Sequence, residues 1–238
     1  MSRKPRPEFT KPGAGPAQVT LAAVLQVRDG VLQALLWQRA REPFVEAWAL
    51  PGGVLSVGET LEESIRRHLA AKVDLAEVAH LEQVATYGDP GRNPVEREIA
   101  TAYLGLVPLG IDPSVPADTD WHPVDRLPAT AFDHGAIVLS ARDRLRGKLS
   151  YSNIGFALAP ATFTLNELRD VYAAALGYDV SATNLKRVLL RRGAIRPTGA
   201  RRHSGRAGGR PAEEFAFAAQ TLEITDPFAA LRPPDLRS

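Results

Sequence analysis

Residues 53–75 read GVLSVGETLEESIRRHLAAKVDL, and this stretch decides the fold of the first half of the chain. Thr60 and Glu63 have the spacing of a capping box, so we expect a helix to begin just after Thr60. The adjacent glycines, Gly52 and Gly53, permit close approach of the backbone to a phosphate. Amides near a helix N-terminus also favour anions. The stretch therefore predicts a glycine-rich loop and a helix that together bind a phosphorylated ligand.

Three residues of this stretch stand at a characteristic spacing. Gly53 is followed by five residues, Glu59, seven more residues and Arg67. The spacing resembles the front half of the Nudix box, the signature of enzymes that hydrolyse nucleoside diphosphates linked to another moiety. The resemblance implies glutamates on the inner face of the helix, where they hold a divalent metal ion. In their places this sequence has His68, Ala71 and Lys72, and Asp74 stands where the closing glycine is expected.

These replacements remove the metal chemistry of the box. Magnesium and manganese are hard cations that prefer oxygen ligands, and in such enzymes they polarise the phosphoryl group and activate water. Alanine offers no ligand, lysine repels a cation, and Glu59 alone is too few. Glu62 and Glu63 lie in the first turn, where carboxylates cap a helix and complement its dipole. We therefore expect a binding site with no catalytic residue, no metal and no cofactor.

Length and composition indicate a globular protein of two domains. The chain has 238 residues, of which 45% are hydrophobic and 24% charged, as in soluble proteins with a substantial core. It has no cysteine, which excludes disulfides and thiolate metal sites. No apolar run approaches the ~20 residues of a membrane span, and the basic N-terminus lacks the apolar segment of a secretory signal. We expect a cytoplasmic protein without a membrane partner.

The box lies within a predicted α/β/α sandwich. Residues 1–18 are rich in proline, glycine and positive charge, which predicts a disordered basic arm. After the arm, β-branched and leucine-rich runs on both sides of Asp29 and Gly30 predict a β-hairpin. Two further strands and a helix over residues 134–148 follow the box. Strands between two helices make a sandwich of this kind, and we assign residues 19–149 to a degenerate Nudix domain.

A second domain is predicted over residues 150–238, where the composition changes. Thr164 and Glu167 have capping-box spacing, which predicts a helix that ends at Gly177. A second helix is expected after Ser181, followed by a Gly- and Arg-rich loop, an apolar strand and a peripheral C-terminal tail. Two helices and a basic hairpin in this order are typical of a winged helix-turn-helix, whose second helix enters the major groove of DNA.

Positive charge is concentrated in this second domain. Residues 186–210 contain nine Lys and Arg and no acidic residue. Such a patch is the usual electrostatic signature of a nucleic-acid partner, although a solvated basic loop has the same composition. On the second helix and the wing we predict contacts with double-stranded DNA for Thr183, Asn184, Lys186, Arg187, Arg191, Arg201, Arg202, His203, Arg206 and Arg210.

The two halves together resemble the Nudix-related transcriptional regulators of NAD metabolism, the NrtR family. The segments that carry the resemblance are WALPGGVLSVGETLEES, FTLNELRDVYAAALG, ATNLKR, GRPAEEFAF and the helix start at Phe132, Asp133 and His134. The resemblance implies a bacterial repressor of NAD biosynthesis or salvage genes that binds a palindromic operator as a homodimer. It also implies that an ADP-ribose-like effector in the former active-site cleft controls release from DNA. For this effector we predict contacts with Arg41, Gly52, Gly53, Glu59, Arg67 and Arg92.

Four alternatives compete with these interpretations. Arg67 can form a structural ion pair with Glu59, and the loop around Arg92 has the composition of an ordinary hairpin loop. The chain can also be an active Nudix hydrolase that uses Glu62 or Glu63 to cleave ADP-ribose or a related nucleoside diphosphate derivative. Finally, a Nudix-derived scaffold can bind RNA or a protein through the basic region.

Overall fold

The computed structural model describes residues 15–75, 78–202 and 211–226. The first half contains strands β1 (Ala17–Arg28), β2 (Val31–Gln38), β3 (Trp48–Ala49), β4 (Gly52–Val54), β5 (His80–Tyr87), β6 (Glu98–Leu106) and β7 (Thr119–Pro123), with helices α1 (Leu61–Val73) and α2 (His134–Leu149). The second half contains β8 (Phe163–Thr164), α3 (Leu165–Leu176), α4 (Ala182–Arg191), β9 (Ile195–Arg202) and β10 (Ala212–Phe217). None of these helices has the length and apolar character needed to span a bilayer.

One mixed β-sheet organises the first half. Its strand order is β3-β2-β1-β6-β5, with β4 paired to β1 and β7 paired to β2. The predicted hairpin joins β1 to β2, and Asp29 and Gly30 at its turn have positive φ angles of 49° and 76°. Two positive φ angles are what makes an Asp-Gly pair suitable for this turn. On its other side β1 runs parallel to β6, so β1 lies at the centre of the sheet.

Helices α1 and α2 cover opposite faces of this sheet, which confirms the predicted α/β/α sandwich. In α1, Thr60 Oγ1 accepts a hydrogen bond from the Glu63 amide, and the Glu63 carboxylate accepts one from the Thr60 amide. The inner face of α1 buries Ile65 and Leu69 with Ala22 and Val24 of β1. The intervening residues of β1 belong to the core on the α2 side, and these are Leu21, Ala23 and Leu25.

The second half forms the predicted winged helix. Strands β8, β10 and β9 lie side by side in a small antiparallel sheet, against which α3 and α4 pack. Helix α3 begins at the predicted capping box of Thr164 and Glu167 and ends at Gly177, which has a left-handed φ of 80°. Helix α4 begins at Ser181, whose side chain accepts a hydrogen bond from the Asn184 amide. The order of elements read from the sequence is therefore confirmed.

The two halves share one continuous core. The apolar cluster between the sheet and α2 continues through the 3-10 helix Ile154–Ala157 to Phe163 and Phe217 of the winged helix. Gly155 lies at this junction, because a Cβ atom there would come within 2.6 Å of Tyr172 Oη and 2.9 Å of Phe217 Cζ. The winged helix is therefore built onto the Nudix half through buried side chains.

Some predicted boundaries differ from the structure. Strand β1 begins at Ala17, inside the arm predicted over residues 1–18, because Ala17 and Gln18 pair with β6. Residues 1–14 lie outside the described residues. Strand β9 continues to Arg202, inside the Gly- and Arg-rich loop that the sequence predicts over residues 198–209, because it pairs with β10. The C-terminal tail is not peripheral over its described part, since Glu223 exchanges hydrogen bonds with Asn153.

Replacing Gly155 by alanine should destabilise the chain, because the added methyl group overlaps Tyr172 and Phe217. We expect a loss of about 1–3 kcal/mol from the free energy of unfolding, as for other overpacked cores. Urea unfolding measures this change. Gly147→Ala is the control: Gly147 lies on α2 with open space where its Cβ would be, so stability should rise by about 0.5–1 kcal/mol. Unchanged stability of Gly155→Ala would contradict the shared core.

Candidate ligand cleft and DNA-binding surface

A cavity of about 200 Å³, which we call the glycine-loop cleft, lies beside the loop that leads into α1. Gly52 and Gly53, two of the predicted effector residues, line it together with Lys72 of α1 and Arg39 after β2. Aromatic and acidic side chains complete the lining, including Trp37, Phe132, Glu42, Glu96 and Glu98. Small-molecule sites commonly measure roughly 300–1,000 Å³, so this cleft holds only part of a nucleotide-sized ligand.

Lys72 reaches the glycine-loop cleft from the inner side of α1. Its Nζ donates a hydrogen bond of 2.6 Å to the carbonyl oxygen of Gly52 and lies 4.4 Å from the centre of the Trp37 ring. Burial lowers the pKa of Lys72, and the positive charges of neighbouring arginines lower it further. The sequence identifies Lys72 as a lost metal ligand but does not identify it as a lining residue of the cleft.

Arg39 is the second cation of the glycine-loop cleft. Its Nε donates to the carbonyl oxygen of Pro43 over 2.9 Å, and its guanidinium lies 4.8 Å from the centre of the Phe132 ring. Phe132 has a left-handed φ of 53° and meets Phe44 edge to face at 5.0 Å. Burial lowers the pKa of Arg39, while nearby carboxylates act in the opposite direction. The cleft thus combines cationic and aromatic groups.

Glu59 and Arg67, predicted as effector contacts, bind each other. Arg67 Nε and Nη2 lie 2.5 and 2.8 Å from the two carboxylate oxygens of Glu59, and Nη2 also donates to the carbonyl oxygen of Val54. The hydrogen bonds from Arg67 lower the pKa of Glu59 to about 2. The pair fastens the loop to α1 and does not line the glycine-loop cleft. The ion-pair alternative therefore describes these two residues.

Arg92 is also held in structural ion pairs. Its side chain is 1% exposed and pairs with Glu98 of β6 and with Asp133, the latter at 2.7 Å. It joins the β5–β6 loop to the start of α2 and is absent from the described lining of the cleft. Arg41 is exposed on the loop after β2, and its charge adds to the effect of burial on the pKa of Lys72. Arg39 and Lys72 therefore line the cleft, whereas Arg67 and Arg92 are not among its lining residues.

The box positions do not fit a hard divalent cation. The His68 imidazole lies against Gly53, where a Cβ atom would come within 2.6 Å of Cε1, and its Nε2 is 3.1 Å from the carbonyl oxygen of Val54. Glu62 pairs with an arginine one turn later, and Glu63 caps α1. Within the part of the chain that the structure describes, no three His, Cys, Asp or Glu residues are grouped to hold a metal ion. The donor set disagrees with the metal that the Nudix resemblance implies.

His134 is a buried neutral residue at the start of α2. Its Nδ1 accepts a hydrogen bond of 3.0 Å from the amide of Leu50, which places the ring proton on Nε2. Burial lowers the pKa of His134 to about 3. The neutral ring therefore connects the segment between β3 and β4 to α2 at the edge of the glycine-loop cleft.

The pH dependence of stability should report this buried ring. Between pH 6.5 and about 3, His134 binds a proton in the unfolded chain but not in the folded chain, so stability falls as pH falls. The expected slope from this residue is about 1.4 kcal/mol per pH unit. His134→Gln keeps an acceptor for the Leu50 amide and should remove that slope in urea unfolding at about pH 4 to 6. The other titrating groups are the same in the unchanged protein and in His134→Gln. An equal slope in the two proteins would therefore contradict a buried, neutral His134.

Helix α4 presents a polar and basic face to solvent. Leu185 and Leu189 are buried, whereas Thr183, Asn184, Arg187 and Arg191 are exposed. Arg187 Nη2 donates to Asn184 Oδ1 over 2.8 Å, so the guanidinium and the amide lie side by side. Asparagine and arginine are the side chains that pair bidentately with adenine and guanine. The predicted recognition face is therefore accessible to DNA.

Other predicted DNA contacts are held in ion pairs. Lys186 Nζ lies 3.0 Å from Glu213 of β10, and Arg202 pairs with both Glu167 and Glu214. Each of these carboxylates repels phosphate, so Lys186 and Arg202 contribute less to DNA binding than their charge suggests. Arg201 is exposed on β9, and the remaining wing residues of the prediction lie outside the described residues: His203, Arg206 and Arg210.

A larger cavity of about 440 Å³ lies between the β1–β2 hairpin, α2 and α3. Its ionisable lining consists of Arg142 and Arg146 with Asp125, Asp170 and Asp179. Three carboxylates and two cations line it, the same numbers as in the glycine-loop cleft, where Glu42, Glu96 and Glu98 accompany Arg39 and Lys72. Size favours the larger cavity, whereas the backbone at Gly52 and Gly53, which permits close approach of a phosphate, favours the glycine-loop cleft.

Helix α2 connects the cleft with the winged helix. His134 at its start lines the cleft, while Arg146 near its end donates to the carbonyl oxygen of Ala175 in α3 over 3.1 Å. The Arg146 guanidinium also lies against Gly177, where a Cβ atom would be 2.5 Å from Nη2. A single helix therefore contacts both the cleft and α3 of the winged helix.

The fold and the cleft define a class of protein, a Nudix domain with altered metal positions joined to a winged helix. Comparison with known families gives the same division, since residues 18–141 match the NUDIX domain and residues 155–217 match the NrtR DNA-binding winged helix domain. The chain belongs to the NrtR family of transcriptional regulators, which confirms the resemblance seen in the sequence.

Individual relatives agree with this membership. The ADPR responsive transcriptional repressor NtrR of Acinetobacter baylyi is 30% identical over 214 residues, which cover 86% of this chain and 83% of that protein. The crystal structure of Shewanella oneidensis NrtR complexed with a 27mer DNA is 29% identical, with a TM-score of 0.71 over 84% of this chain and 93% of that chain. The ADP-ribose pyrophosphatase of Methanocaldococcus jannaschii is 30% identical over 130 residues, 50% of this chain and 72% of that protein.

Proposed function

We propose that the chain is a bacterial transcriptional repressor that binds operator DNA through its winged helix and ADP-ribose, or a related nucleotide, in the glycine-loop cleft. One observation carries the proposal: a cleft in which Lys72 stands at a metal-ligand position of the Nudix box shares a continuous core with a winged helix. The names of two relatives support it, since the Acinetobacter protein is ADPR responsive and the Shewanella protein is seen complexed with DNA.

The cleft suits a nucleoside diphosphate. Lys72 and Arg39 supply positive charge for the diphosphate, and the backbone at Gly52 and Gly53 permits its close approach. The Trp37 ring and its neighbours supply aromatic surface for a base. The remainder of the ligand extends beyond the small cavity towards exposed Arg41.

DNA binding is assigned to the exposed face of α4. Asn184 and Arg187 contact bases in the major groove, and Arg191 and Arg201 contact phosphates. A homodimer on a palindromic operator places two such helices in successive grooves. In keeping with the family, we propose NAD biosynthesis or salvage genes as targets, and a cytoplasmic site of action. ADP-ribose can release the DNA only if it binds two arrangements of the protein with unequal affinity.

A mobility-shift titration on the upstream DNA of NAD-synthesis genes tests the proposal. The chain should bind specific sites without ADP-ribose and be released by ADP-ribose, and analysis of the same samples should show the nucleotide uncleaved. Guanosine diphosphate mannose, another nucleoside diphosphate sugar, serves as the control effector. Absence of specific binding together with cleavage of ADP-ribose would replace the repressor by the hydrolase alternative.

Arg187→Ala should abolish operator selectivity and leave folding and ADP-ribose binding intact, because Arg187 is exposed and its described hydrogen bond is to Asn184 alone. Loss of a bidentate base contact costs about 1–3 kcal/mol of discrimination. Arg66→Ala on the Nudix half removes the same charge and should leave operator binding unchanged. Fluorescence anisotropy with operator and scrambled DNA measures both variants.

Salt gives an independent check on this surface. If about six to ten phosphates are neutralised across a dimer, affinity should fall by about 10³–10⁵ between roughly 50 and 200 mM salt. A flat salt response, or unfolding of Arg187→Ala, would contradict the assignment of α4 and the wing.

A further inference from the structure

We infer that the Lys72 ammonium takes the place of the divalent metal ion in the glycine-loop cleft, so that ADP-ribose binds there without magnesium. The inference rests on the proposed function, because it concerns the same ligand in the same cleft. Beyond the proposed function, the inference names the group that binds the diphosphate and states that binding requires no metal ion.

The position of Lys72 is the first support. Lys72 stands at a box position where the Nudix resemblance places a metal-binding glutamate, and its Nζ is fixed 2.6 Å from the Gly52 carbonyl oxygen. The centre of the Trp37 ring lies 4.4 Å from Nζ and restricts the position of the ammonium group on another side. A lysine ammonium has three donors, and among the described residues only the Gly52 carbonyl oxygen accepts from it. Two donors are therefore left for oxygen atoms of a diphosphate.

The surrounding charges are the second support. No described ion pair includes Lys72. Of the nearby carboxylates, Glu59 binds Arg67 and Glu98 binds Arg92, while Glu42 and Glu96 line the cleft without a described ion pair to Lys72. Lys72 instead experiences the positive charges of Arg39, Arg41 and Arg67. A diphosphate relieves this repulsion and forms charge-assisted hydrogen bonds with the ammonium. The charges that act on Lys72 thus favour an anion at the ammonium group itself.

The same arrangement works against a metal ion. A magnesium ion beside Gly52 would meet an ammonium in place of a carboxylate, and the neighbouring box positions carry the His68 ring and the Ala71 methyl group. Magnesium prefers several oxygen ligands with carboxylates among them. The ion therefore has neither a ligand set nor a favourable field, and it should not strengthen nucleotide binding.

Isothermal titration calorimetry with ADP-ribose tests the inference, on the full chain in EDTA and again in magnesium. The unchanged chain should bind equally well in both, within about threefold, or 0.7 kcal/mol. Lys72→Met should lose affinity by about 10- to 100-fold in both, as expected for a lost charge-assisted hydrogen bond. Lys72→Arg should retain most of the affinity. Lys72→Glu should lose more affinity than Lys72→Met in both buffers, because it places a negative charge beside the diphosphate.

Controls separate this inference from the proposed function. Operator binding by every Lys72 variant checks folding, and Arg66→Glu, a charge reversal on the exposed side of α1, should bind ADP-ribose like the unchanged chain. A magnesium requirement in the unchanged chain, or full affinity of Lys72→Met, would overturn the inference and leave the proposed function standing. No ADP-ribose binding by the unchanged chain in either buffer would overturn both.

Discussion

The hydrogen bond from the Lys72 ammonium to the Gly52 carbonyl oxygen constrains the whole ligand cleft. It joins α1 to β4 over 2.6 Å and fixes a positive charge beside the glycine backbone. Two of the nearby carboxylates, Glu59 and Glu98, are bound to Arg67 and Arg92, and no described ion pair includes Lys72. A glutamate at the same helical position would favour a cation there, so Lys72 reverses the charge at this position of the box.

The shared core gives this cleft a route to the DNA-binding surface. Helix α2 begins at the cleft with His134 and ends against α3, where Arg146 binds the Ala175 carbonyl oxygen. The segment between the two halves is buried, with Phe156 and Leu158 in the core. Because packed cores rearrange between discrete states, a ligand that moves the start of α2 can shift α3 and its partner α4. A winged helix joined to the Nudix half only by a flexible linker would lack this packed connection.

Local sequence signals predicted much of the fold, and long-range contacts account for what they missed. The capping boxes at Thr60 and Thr164 and the Asp29–Gly30 turn depend on residues a few positions apart, so their patterns are visible in the sequence. The ion-pair partners of Arg92 cannot be recognised from the sequence, because Asp133 lies 41 positions away from it. Arg39 and His134 are brought to the cleft only when the sheet folds, so the sequence alone does not identify them as lining residues. Lys72 was recognised as a replaced glutamate, but its bond to Gly52 requires the backbone geometry of the loop.

A crystal structure of the chain with ADP-ribose, grown in the presence of EDTA, tests the central claim most directly. The claim is that a Nudix cleft has become a metal-free effector site through the Lys72 ammonium. It predicts diphosphate oxygens within ~3 Å of Lys72 Nζ, a hydrogen-bonding distance, with no metal ion between them. ADP-ribose in the larger cavity between α2 and α3, or a metal ion retained between the diphosphate and the loop, would contradict it.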